Sequence, residues 1–349
     1  MSKQKNILVA PLNWGLGHAA RSIPIIRELM QQGHHLIIAS DGVALDFLRK
    51  EFPLLIFEEL PPYDISYSSN SFWMKLKLLF QTPKMMHSVL AEKKVTKELI
   101  RKYNIDLIIS DNRFGVRDDS VRSIFITHQL KVLSGWTTWL STKAHQLLHR
   151  QFDEIWVPDF EGEQNLSGIL GHSRKNKKLK YVGLLSRFEK REIKTKYDLL
   201  VVLSGPEPQR SILEEKLLRE LETLESKIVL IRGIVEKKQT VKTINHLKIY
   251  NFALSDELEK LINASDIIIS RSGYTSIMDY CKLEKKVFFI PTPKQYEQEY
   301  LATYLEDLGI APFAKQKDFN IKQLGSLQNY KGFSVIKHDS EIKEIIKNI

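Results

Sequence analysis

Residues 7–18 read ILVAPLNWGLGH, an apolar run typical of a buried strand, then a turn with two glycines, then a histidine. Apolar side chains recur with helical spacing from Ile23 to Met30, so the turn leads directly into a helix. A strand, a Gly-x-Gly turn and a helix bring backbone N–H groups close to an anionic ligand. Ala20 stands where dinucleotide-binding loops carry a third glycine. His18 is not part of that fingerprint, and an imidazole at the mouth of such a turn can take a proton from a bound substrate.

Strand-like apolar runs alternate with helical patterns along the whole chain. Several of them, such as Leu107–Ile109 and Ile267–Ile269, are continuously apolar, which is typical of parallel strands covered by helices on both faces. The alternation itself indicates βαβ units. The predicted strands lie at 6–11, 35–40, 53–58, 106–110, 123–127, 154–157, 198–203, 227–232, 246–250, 266–269 and 286–290.

The predicted strands fall into two sets, and each set opens with a strand, a turn and a helix. The charged segment 187–192 lies between the sets and is typical of an exposed linker. A chain of 349 residues is also long for one core and suits two domains. We therefore expect an α/β protein with two Rossmann-like domains, at residues 1–185 and 186–335. The apolar spacing within 336–349 predicts a C-terminal helix that packs back on the first domain.

The formal net charge is +10, and +7 of it lies in residues 1–185, where 25 Lys and Arg stand against 18 Asp and Glu. A solvated helix face and a surface loop would account for the two densest basic clusters. The alternative is attraction to anionic phosphates on lipid headgroups or nucleic acid. With no nucleic-acid motif in the sequence, we expect no nucleic-acid partner. The clusters are Lys93, Lys94, Lys97, Arg101 and Lys102, and Arg174, Lys175, Lys177, Lys178 and Lys180.

The location of the protein follows from three sequence features. The sequence lacks the pattern of a signal peptide and any apolar run of the roughly 18–20 residues that a membrane span needs. The single cysteine, Cys281, favours a reducing cytoplasm and is interpreted as a small buried apolar residue. Residues 72–80 hold seven apolar residues and two lysines, which predicts either a core helix or an interfacial helix at a membrane or an apolar acceptor. We expect a cytoplasmic protein, with the inner face of the membrane as its site of action.

Two turns of the second domain have the composition of anion sites. Ser204 and Gly205 follow an apolar strand and precede a helix that starts near Gln209, although this segment alone is explained more simply by an ordinary βα turn. Ser272 and Gly273 follow another strand, where backbone N–H groups would point at a diphosphate. Tyr274 belongs to the same turn. Two turns into the next helix, the Asp279 carboxylate could reach ribose hydroxyls, while Glu297 and Gln298 could bind sugar hydroxyls.

Asp111 and His128 each follow a predicted strand of the first domain, as His18 does. The carboxyl ends of parallel strands line one crevice, so the Asp111 carboxylate could orient the His18 imidazole. A cap on the following turn is the alternative role for Asp111. The histidines show no metal-ligand spacing, so we expect no metal.

In order along the chain, these motifs resemble inverting GT-B glycosyltransferases. Residues 15–18 resemble the N-terminal glycine loop of the bacterial lipid-linked N-acetylglucosaminyltransferases of peptidoglycan synthesis and of the diacylglycerol sugar transferases. Residues 127–129 are similar to the second loop of the family's N-domain. Residues 204–205 resemble its C-domain glycine loop, and 271–273 resemble its diphosphate-binding turn. Asp111 is similar to an aspartate that assists the catalytic histidine in the UDP-glycosyltransferases of small acceptors.

The resemblance implies two Rossmann-like domains facing across a cleft. It implies transfer of a sugar from a UDP-linked donor to a hydroxyl acceptor that is lipid-linked, with inversion and without metal or cofactor. His18 and Asp111 would be catalytic, and His128 would lie on the acceptor side. The donor set comprises Gly15, Gly17, Ser204, Gly205, Arg271, Ser272, Gly273, Tyr274, Asp279, Glu297 and Gln298.

Three other functions remain open from the residues alone. A nucleotide-sugar epimerase of the same fold would need no acceptor. A non-catalytic nucleotide-binding protein would use the same turns without the base. A nicotinamide-dependent oxidoreductase would want an acidic residue about 20 positions after the first loop, and Asp41 lies near that position.

Overall fold

The structure, a computed structural model, describes residues 4–63, 71–172, 176–336, 342–347 and 349, without the side chains of 71–85 and Trp136. The chain divides into two compact units. Unit 1 comprises 1–158, 169–183 and 341–349, and unit 2 comprises 159–168 and 184–340.

Unit 1 is built on a seven-stranded sheet in which every described pair of neighbours is parallel. The central strands are buried on both faces, which explains their continuous apolar runs. The strands are β1 (Asn6–Pro11), β2 (His35–Ser40), β3 (Ile56–Glu59), β4 (Leu107–Asp111), β5 (Arg122–Ile126), β6 (Glu154–Val157) and β7 (Leu179–Tyr181), and the helices between them are α1 (Gly17–Gln31), α2 (Gly42–Glu51), α3 (Ser71–Tyr103) and α4 (Thr138–His149).

The strand order in unit 1 is β3-β2-β1-β4-β5-β6-β7. The chain runs outward from β1 through β2 to β3, and α3 then returns it to β4 on the other side of β1. The direction of winding therefore reverses between β1 and β4. Open parallel sheets bind ligands in the crevice outside the carboxyl ends of the two strands at such a switch point.

Unit 2 repeats this plan with a six-stranded sheet in the order β10-β11-β9-β8-β12-β13. Only the β10–β11 pair is antiparallel among the described pairs. The winding reverses between β8 and β12, so the second crevice lies at their carboxyl ends. The strands are β8 (Tyr197–Val202), β9 (Ile228–Ile231), β10 (Val241–Ile244), β11 (Leu247–Tyr250), β12 (Ser265–Ser270) and β13 (Lys286–Phe289), and the helices are α5 (Gln209–Leu221), α6 (Ser255–Asn263), α7 (Tyr274–Lys282) and α8 (Tyr296–Asp307).

The prediction of two Rossmann-like domains is confirmed, and the largest difference between the unit bounds and the predicted domain bounds is one internal segment. Residues 159–168 fall within the predicted first domain of 1–185 but pack with unit 2. Asp159 explains this, because its carboxylate accepts hydrogen bonds from the backbone of Leu166 and Ser167 and contacts the Tyr274 hydroxyl of α7. The terminal helix α9 (Ile342–Lys347) packs on α1 in unit 1.

Residues 72–80 lie in the first part of α3, so they are helical. Their side chains lie outside the described residues, and the choice between a core helix and an interfacial helix stays a prediction. In the described part of the chain, no helix combines the length and the apolar content needed to cross a bilayer.

Candidate active site

The two strands at the switch point of unit 1 place a histidine over an aspartate. Pro11 of β1 pairs in register with Asp111 of β4, so both strands end at the same level of the sheet. Between β1 and α1 the chain turns through Gly15, whose φ of +74° favours glycine. Helix α1 begins at Gly17, which puts His18 in its first turn. Nδ1 of His18 lies 2.8 Å from Oδ1 of Asp111.

The hydrogen bond to Asp111 fixes the tautomer of His18. An ionised carboxylate can only accept, so the tautomer with the proton on Nδ1 makes the 2.8 Å hydrogen bond to Oδ1 of Asp111. Nη2 of Arg21, which can only donate, lies 2.9 Å from the same nitrogen and makes no hydrogen bond to it in that tautomer. The other ring nitrogen, Nε2, is then an unprotonated acceptor. Both polar contacts of the His18 ring with the described residues are at Nδ1. The ring can therefore accept a proton at Nε2 while Asp111 holds it in place.

Arg21 completes this cluster, and sequence reasoning missed it. It lies three residues after His18 on the same face of α1 and is only 1% exposed. Its Nε donates to Oδ2 of Asp111 at 2.6 Å, and its Nη2 donates to Oδ1. The guanidinium thus binds both oxygens of the carboxylate in the bidentate geometry that fixes an aspartate most firmly. The available signal was an arginine among buried apolar residues at helical spacing from the histidine.

The charges around His18 set its protonation. Burial lowers the pKa of His18 below its ordinary value; the Asp111 charge opposes this, and the Arg21 charge adds to it. Burial by itself would raise the pKa of Asp111, but the charges of Arg21 and His18 outweigh it and lower that pKa to about 2. At neutral pH the pair is therefore a neutral imidazole beside a carboxylate, which is the state a general base requires.

His128 joins the same cluster behind Arg21. It follows β5, is 5% exposed, and its Nδ1 lies 2.8 Å from Nη1 of Arg21. A guanidinium can only donate, so Nδ1 of His128 accepts and its proton is on Nε2. The structure brings three of the predicted site residues together here: His18, Asp111 and His128. The acceptor-side role of His128 stays a prediction.

Asp41, the acidic residue that an oxidoreductase would need, is already engaged. It forms an ion pair with Arg113 and accepts a 2.9 Å hydrogen bond from Nδ2 of Asn13. Arg113 is fully buried and also pairs with Glu92 at 2.7 Å. An Asp41 carboxylate held by Arg113 and Asn13 is not available to ribose hydroxyls, which argues against the oxidoreductase.

The predicted anion turns of unit 2 both lie at its switch point. Ser204 and Gly205 follow β8, and 271–273 follow β12, whose Ser270 pairs with Val202 of β8. Gly205 has a φ of +104°, and an added Cβ would stand 3.3 Å from Oγ1 of Thr292. That hydroxyl is buried without a hydrogen-bond partner among the described residues. Backbone at Gly205 can therefore approach a ligand closely, beside a polar atom that has no other partner.

Arg271 is bound by the protein through its Nη groups. Its side chain is 1% exposed and donates to the carbonyl oxygens of Ile290 and Gln209 at 2.9 and 3.0 Å, and to Oε1 of Gln316 at 2.7 Å. These bonds connect the loop after β13 to the start of α5. The predicted contribution of the Arg271 charge to a leaving diphosphate stays a prediction.

The side chains of Ser272, Tyr274 and Asp279 also face the protein. Oγ of Ser272 donates to the Gln298 carbonyl at 2.8 Å, and Tyr274 is 2% exposed with its hydroxyl on Asp159. Asp279 accepts a 2.6 Å bond from Ser186, and burial raises its pKa to about 6. The predicted ribose role of the Asp279 side chain stays a prediction. What remains for a ligand is backbone, because Gly273 precedes the first residue of α7.

Gln298 lies between the two turns. Its Oε1 accepts a 2.8 Å bond from the backbone N–H of Thr292, and its Nε2 stands 3.9 Å from where a Cβ on Gly273 would be. The amide thus connects the loop after β13 to the turn after β12. Glu297, the neighbouring half-buried residue, keeps its predicted role in sugar binding as a proposal.

The basic clusters divide into surface and structural residues. Lys94, Lys97 and Arg101 are exposed on α3, whereas Lys178 donates to the Phe152 carbonyl at 2.7 Å. Arg174 and Lys175 lie outside the described residues. Within the described part of the chain, no group of three or more His, Cys, Asp or Glu is placed to hold a metal ion.

Comparison with known families defines the fold class. Residues 200–329 match the family described as Glycosyltransferase family 28 C-terminal domain, and residues 6–116 match Glycosyl transferase family 1. With its two Rossmann-like units and these matches, the chain has the fold of the GT-B class of glycosyltransferases, as the resemblance of its motifs implied.

Within that class the chain is similar to UDP-N-acetylglucosamine--N-acetylmuramyl-(pentapeptide) pyrophosphoryl-undecaprenol N-acetylglucosamine transferases. The one from Sulfurihydrogenibium sp. is 27% identical over 43% of this chain and 46% of its own length. The one from Buchnera aphidicola is 27% identical over 75% of this chain and 74% of its own. The chain therefore matches less than half of the first relative and about three quarters of the second. The fold is similar to that of the glycosyltransferase SnogD from Streptomyces nogalater, with a TM-score of 0.63, 11% identity and 99% of each chain covered.

Proposed function

We propose that this protein transfers a sugar from a UDP-linked donor to a hydroxyl of a lipid-linked acceptor, with inversion at the anomeric carbon and without a metal or cofactor. His18 is the general base. It removes the proton of the acceptor hydroxyl as that oxygen bonds to the anomeric carbon. The bond from this carbon to the diphosphate oxygen breaks with its electron pair, and UDP leaves. A single displacement of this kind inverts the configuration.

The observation that carries the proposal is the geometry of His18. The 2.8 Å bond from Nδ1 to Asp111 leaves Nε2 as the basic atom, at the switch point where open sheets bind ligands. A base in this position contributes roughly 10²–10⁴-fold to a rate. Catalysis gives the buried His18–Asp111–Arg21 cluster a role that nucleotide binding alone does not supply.

The donor half of the proposal rests on unit 2. The turns at Ser204, Gly205 and Gly273 offer backbone N–H groups, and α5 and α7 begin beside them. Helix N-termini stabilise a diphosphate through these N–H groups and the helix dipole. Such a site meets the charge of the leaving group without a metal. The UDP identity is supported by the family 28 match and by the names of the similar transferases.

The acceptor half of the proposal rests on similarity and charge. The printed names of the similar transferases include a pyrophosphoryl-undecaprenol acceptor. The excess positive charge of residues 1–185 favours contact with anionic phosphates at a membrane surface. We place the protein on the cytoplasmic side of that membrane.

A donor panel tests the proposal. The purified protein is heated with UDP, other nucleoside diphosphates, UDP-N-acetylglucosamine and UDP-glucose, and the thermal shift is recorded. A ligand at ~100 times its dissociation constant stabilises by roughly 2.7 kcal/mol, so UDP compounds should raise the melting temperature. Radiolabelled donors are then incubated with and without vesicles that carry diacylglycerol or a polyprenyl diphosphate glycolipid. Label in the lipid phase, with inverted anomeric configuration, supports the proposal. An isomerised donor without acceptor would instead indicate the epimerase.

A further inference from the structure

Thr292, in unit 2, carries a buried hydroxyl. The residue lies in the loop after β13 and is only 3% exposed. Its Oγ1 makes no hydrogen bond to the described residues. A hydroxyl that is taken out of water without a new partner costs free energy, so buried hydroxyls are nearly always paired. The Thr292 hydroxyl, which lies beside a predicted anion turn, therefore needs an explanation.

The backbone that follows Thr292 offers the hydroxyl no local partner. Threonine hydroxyls in turns commonly bond to the N–H groups of the next residues. Pro293 has no N–H. The N–H of Lys294 donates to Oε1 of Glu299 at 3.0 Å. The N–H of Gln295 donates to the carbonyl oxygen of Thr292 at 3.1 Å. The hydroxyl is therefore left for a partner from outside its own loop.

The loop that carries Thr292 is held in place by two side chains. Oε1 of Gln298 accepts the N–H of Thr292 at 2.8 Å. Nη1 of Arg271 donates to the carbonyl oxygens of Ile290 and Pro291 at 2.9 and 3.2 Å. A β-branched side chain also has few χ1 rotamers. The hydroxyl is therefore presented from a fixed backbone, which lowers the entropic cost of binding a ligand.

The Thr292 hydroxyl faces the turn between β8 and α5. A Cβ added to Gly205 would lie 3.3 Å from Oγ1 of Thr292. Apart from the residues adjacent to Gly205, no other described atom lies within 4 Å of that point. The hydroxyl thus borders the open space over Gly205, in a turn whose backbone N–H groups precede a helix.

We propose that the Thr292 hydroxyl donates a hydrogen bond to a non-bridging oxygen of the diphosphate in the bound nucleotide-sugar. This contact deepens the proposed function and rests on its donor site in unit 2. The turn at Gly205 presents backbone N–H donors, and the hydroxyl adds a further donor beside them. A ligand that matches several donors must supply acceptors, and the non-bridging oxygens of a diphosphate are charged acceptors. The geometry therefore favours the diphosphate over the ribose or the sugar as the partner of Thr292.

The variant Thr292→Val tests this contact, because it removes the hydroxyl and keeps the shape of the side chain. Calorimetry on the full-length protein gives the dissociation constants for UDP and for uridine, which has no phosphate. A hydrogen bond to a charged group is worth roughly 10–100-fold in affinity, so Thr292→Val should bind UDP more weakly by this factor. Uridine should bind the variant and the wild type equally. Thr292→Ser keeps a hydroxyl and should bind UDP more tightly than Thr292→Val does.

Thr96 in α3 of unit 1 provides a matched control. It is fully buried, and its hydroxyl also has no hydrogen-bond partner among the described residues. Removing an unpaired hydroxyl breaks no hydrogen bond, so Thr292→Val and Thr96→Val should both unfold at the urea concentration of the wild type or a higher one. Only Thr292→Val should lose affinity for UDP.

Three results overturn the contact. One is a folded Thr292→Val protein with the wild-type affinity for UDP. Another is an equal loss of affinity for UDP and for uridine, which would place the hydroxyl away from the diphosphate. The third is a marked loss of stability in Thr292→Val but not in Thr96→Val, which would show that the Thr292 hydroxyl has a structural partner.

The proposed function can fail separately from this contact. If UDP binding depends on the Thr292 hydroxyl but no donor gives transfer, the contact stands and the transfer activity is refuted. If the wild type transfers sugar and Thr292→Val binds UDP equally well, the contact alone is refuted. A wild type that binds neither UDP nor any other nucleoside diphosphate refutes both.

Discussion

Arg21 offers the sharpest test of how the candidate site works. The replacement Arg21→Met removes the guanidinium and keeps an unbranched side chain of similar reach in α1. Asp111 then loses the donors to both its oxygens and keeps only Nδ1 of His18. The variant Arg21→Lys keeps a positive charge at this position but lacks the planar guanidinium that binds both oxygens of Asp111. Arg27→Met removes a partly exposed arginine from the same helix and serves as the control.

The size of the effect follows from burial and charge. Removing one partner from a buried ion pair costs about 3–5 kcal/mol, so the variant should unfold at a lower denaturant concentration. The groups that face His18 are Asp111, Arg21 and His128. The Arg21 charge lowers the pKa of His18, so its loss raises that pKa. A general base works only when it is unprotonated, so activity is lost below its pKa.

The assay is the pH dependence of kcat/KM, which reports the free enzyme. For Arg21→Met, the acid limb should move to higher pH, and the plateau should fall up to roughly 10²-fold because the ring loses its fixed position. Arg21→Lys should lie between Arg21→Met and the wild type. An acid limb that stays in place in a folded Arg21→Met protein would refute the role given to this guanidinium.

Three further predictions concern stability and the donor site. Burial lowers the pKa of His149 to about 4, so on acidification the unfolded chain takes up a proton before the folded protein does. The free energy of unfolding contributed by His149 above about pH 6.5 is therefore lost as the pH falls towards 4. His149→Phe should remove on the order of 3 kcal/mol of this loss, measured by urea unfolding at pH 4.5. Gly205→Ala should weaken UDP binding about tenfold in calorimetry, because the φ of +104° disfavours a side chain and the added Cβ would lie close to the Thr292 hydroxyl. Gly309→Ala is the control and should leave UDP binding unchanged, because an added Cβ there meets open space. Arg271→Met should lower the free energy of unfolding by about 3 kcal/mol, because buried carbonyl oxygens lose their hydrogen-bond donor. A variant with unchanged stability and a lower kcat would contradict the structural role of these hydrogen bonds.

The sequence predicted the two sheets because buried parallel strands need unbroken apolar runs. Strands β1, β2 and β6 have the predicted bounds, and most of the others differ by one residue at an end, whereas β3 begins three residues later than predicted. Strand β10 was missed because all four of its residues are exposed, so no burial pattern marks it. The β7 strand is only three residues long and partly exposed, which leaves no periodicity to detect.

The candidate site was predicted in its positions and only partly in its contacts. His18 and Asp111 could be paired in advance because strand ends at a switch point are adjacent in any open parallel sheet. The sequence does not show which group a long side chain contacts. The pattern around Arg271 could not distinguish a guanidinium aimed at a ligand from one bound to carbonyls, and only the packing of the loop after β13 decides it. Arg21 was overlooked for the same reason, since a buried charge depends on partners distant in sequence.

The role of His18 as the base of a glycosyl transfer is measured with His18→Ala in the transfer assay at saturating donor. The control is His35→Ala, which removes an exposed histidine of the same unit. We expect turnover to fall roughly 10²–10⁴-fold in His18→Ala, with an unchanged dissociation constant for UDP and an unaffected control. Wild-type turnover in the His18→Ala protein would show that His18 is not the base.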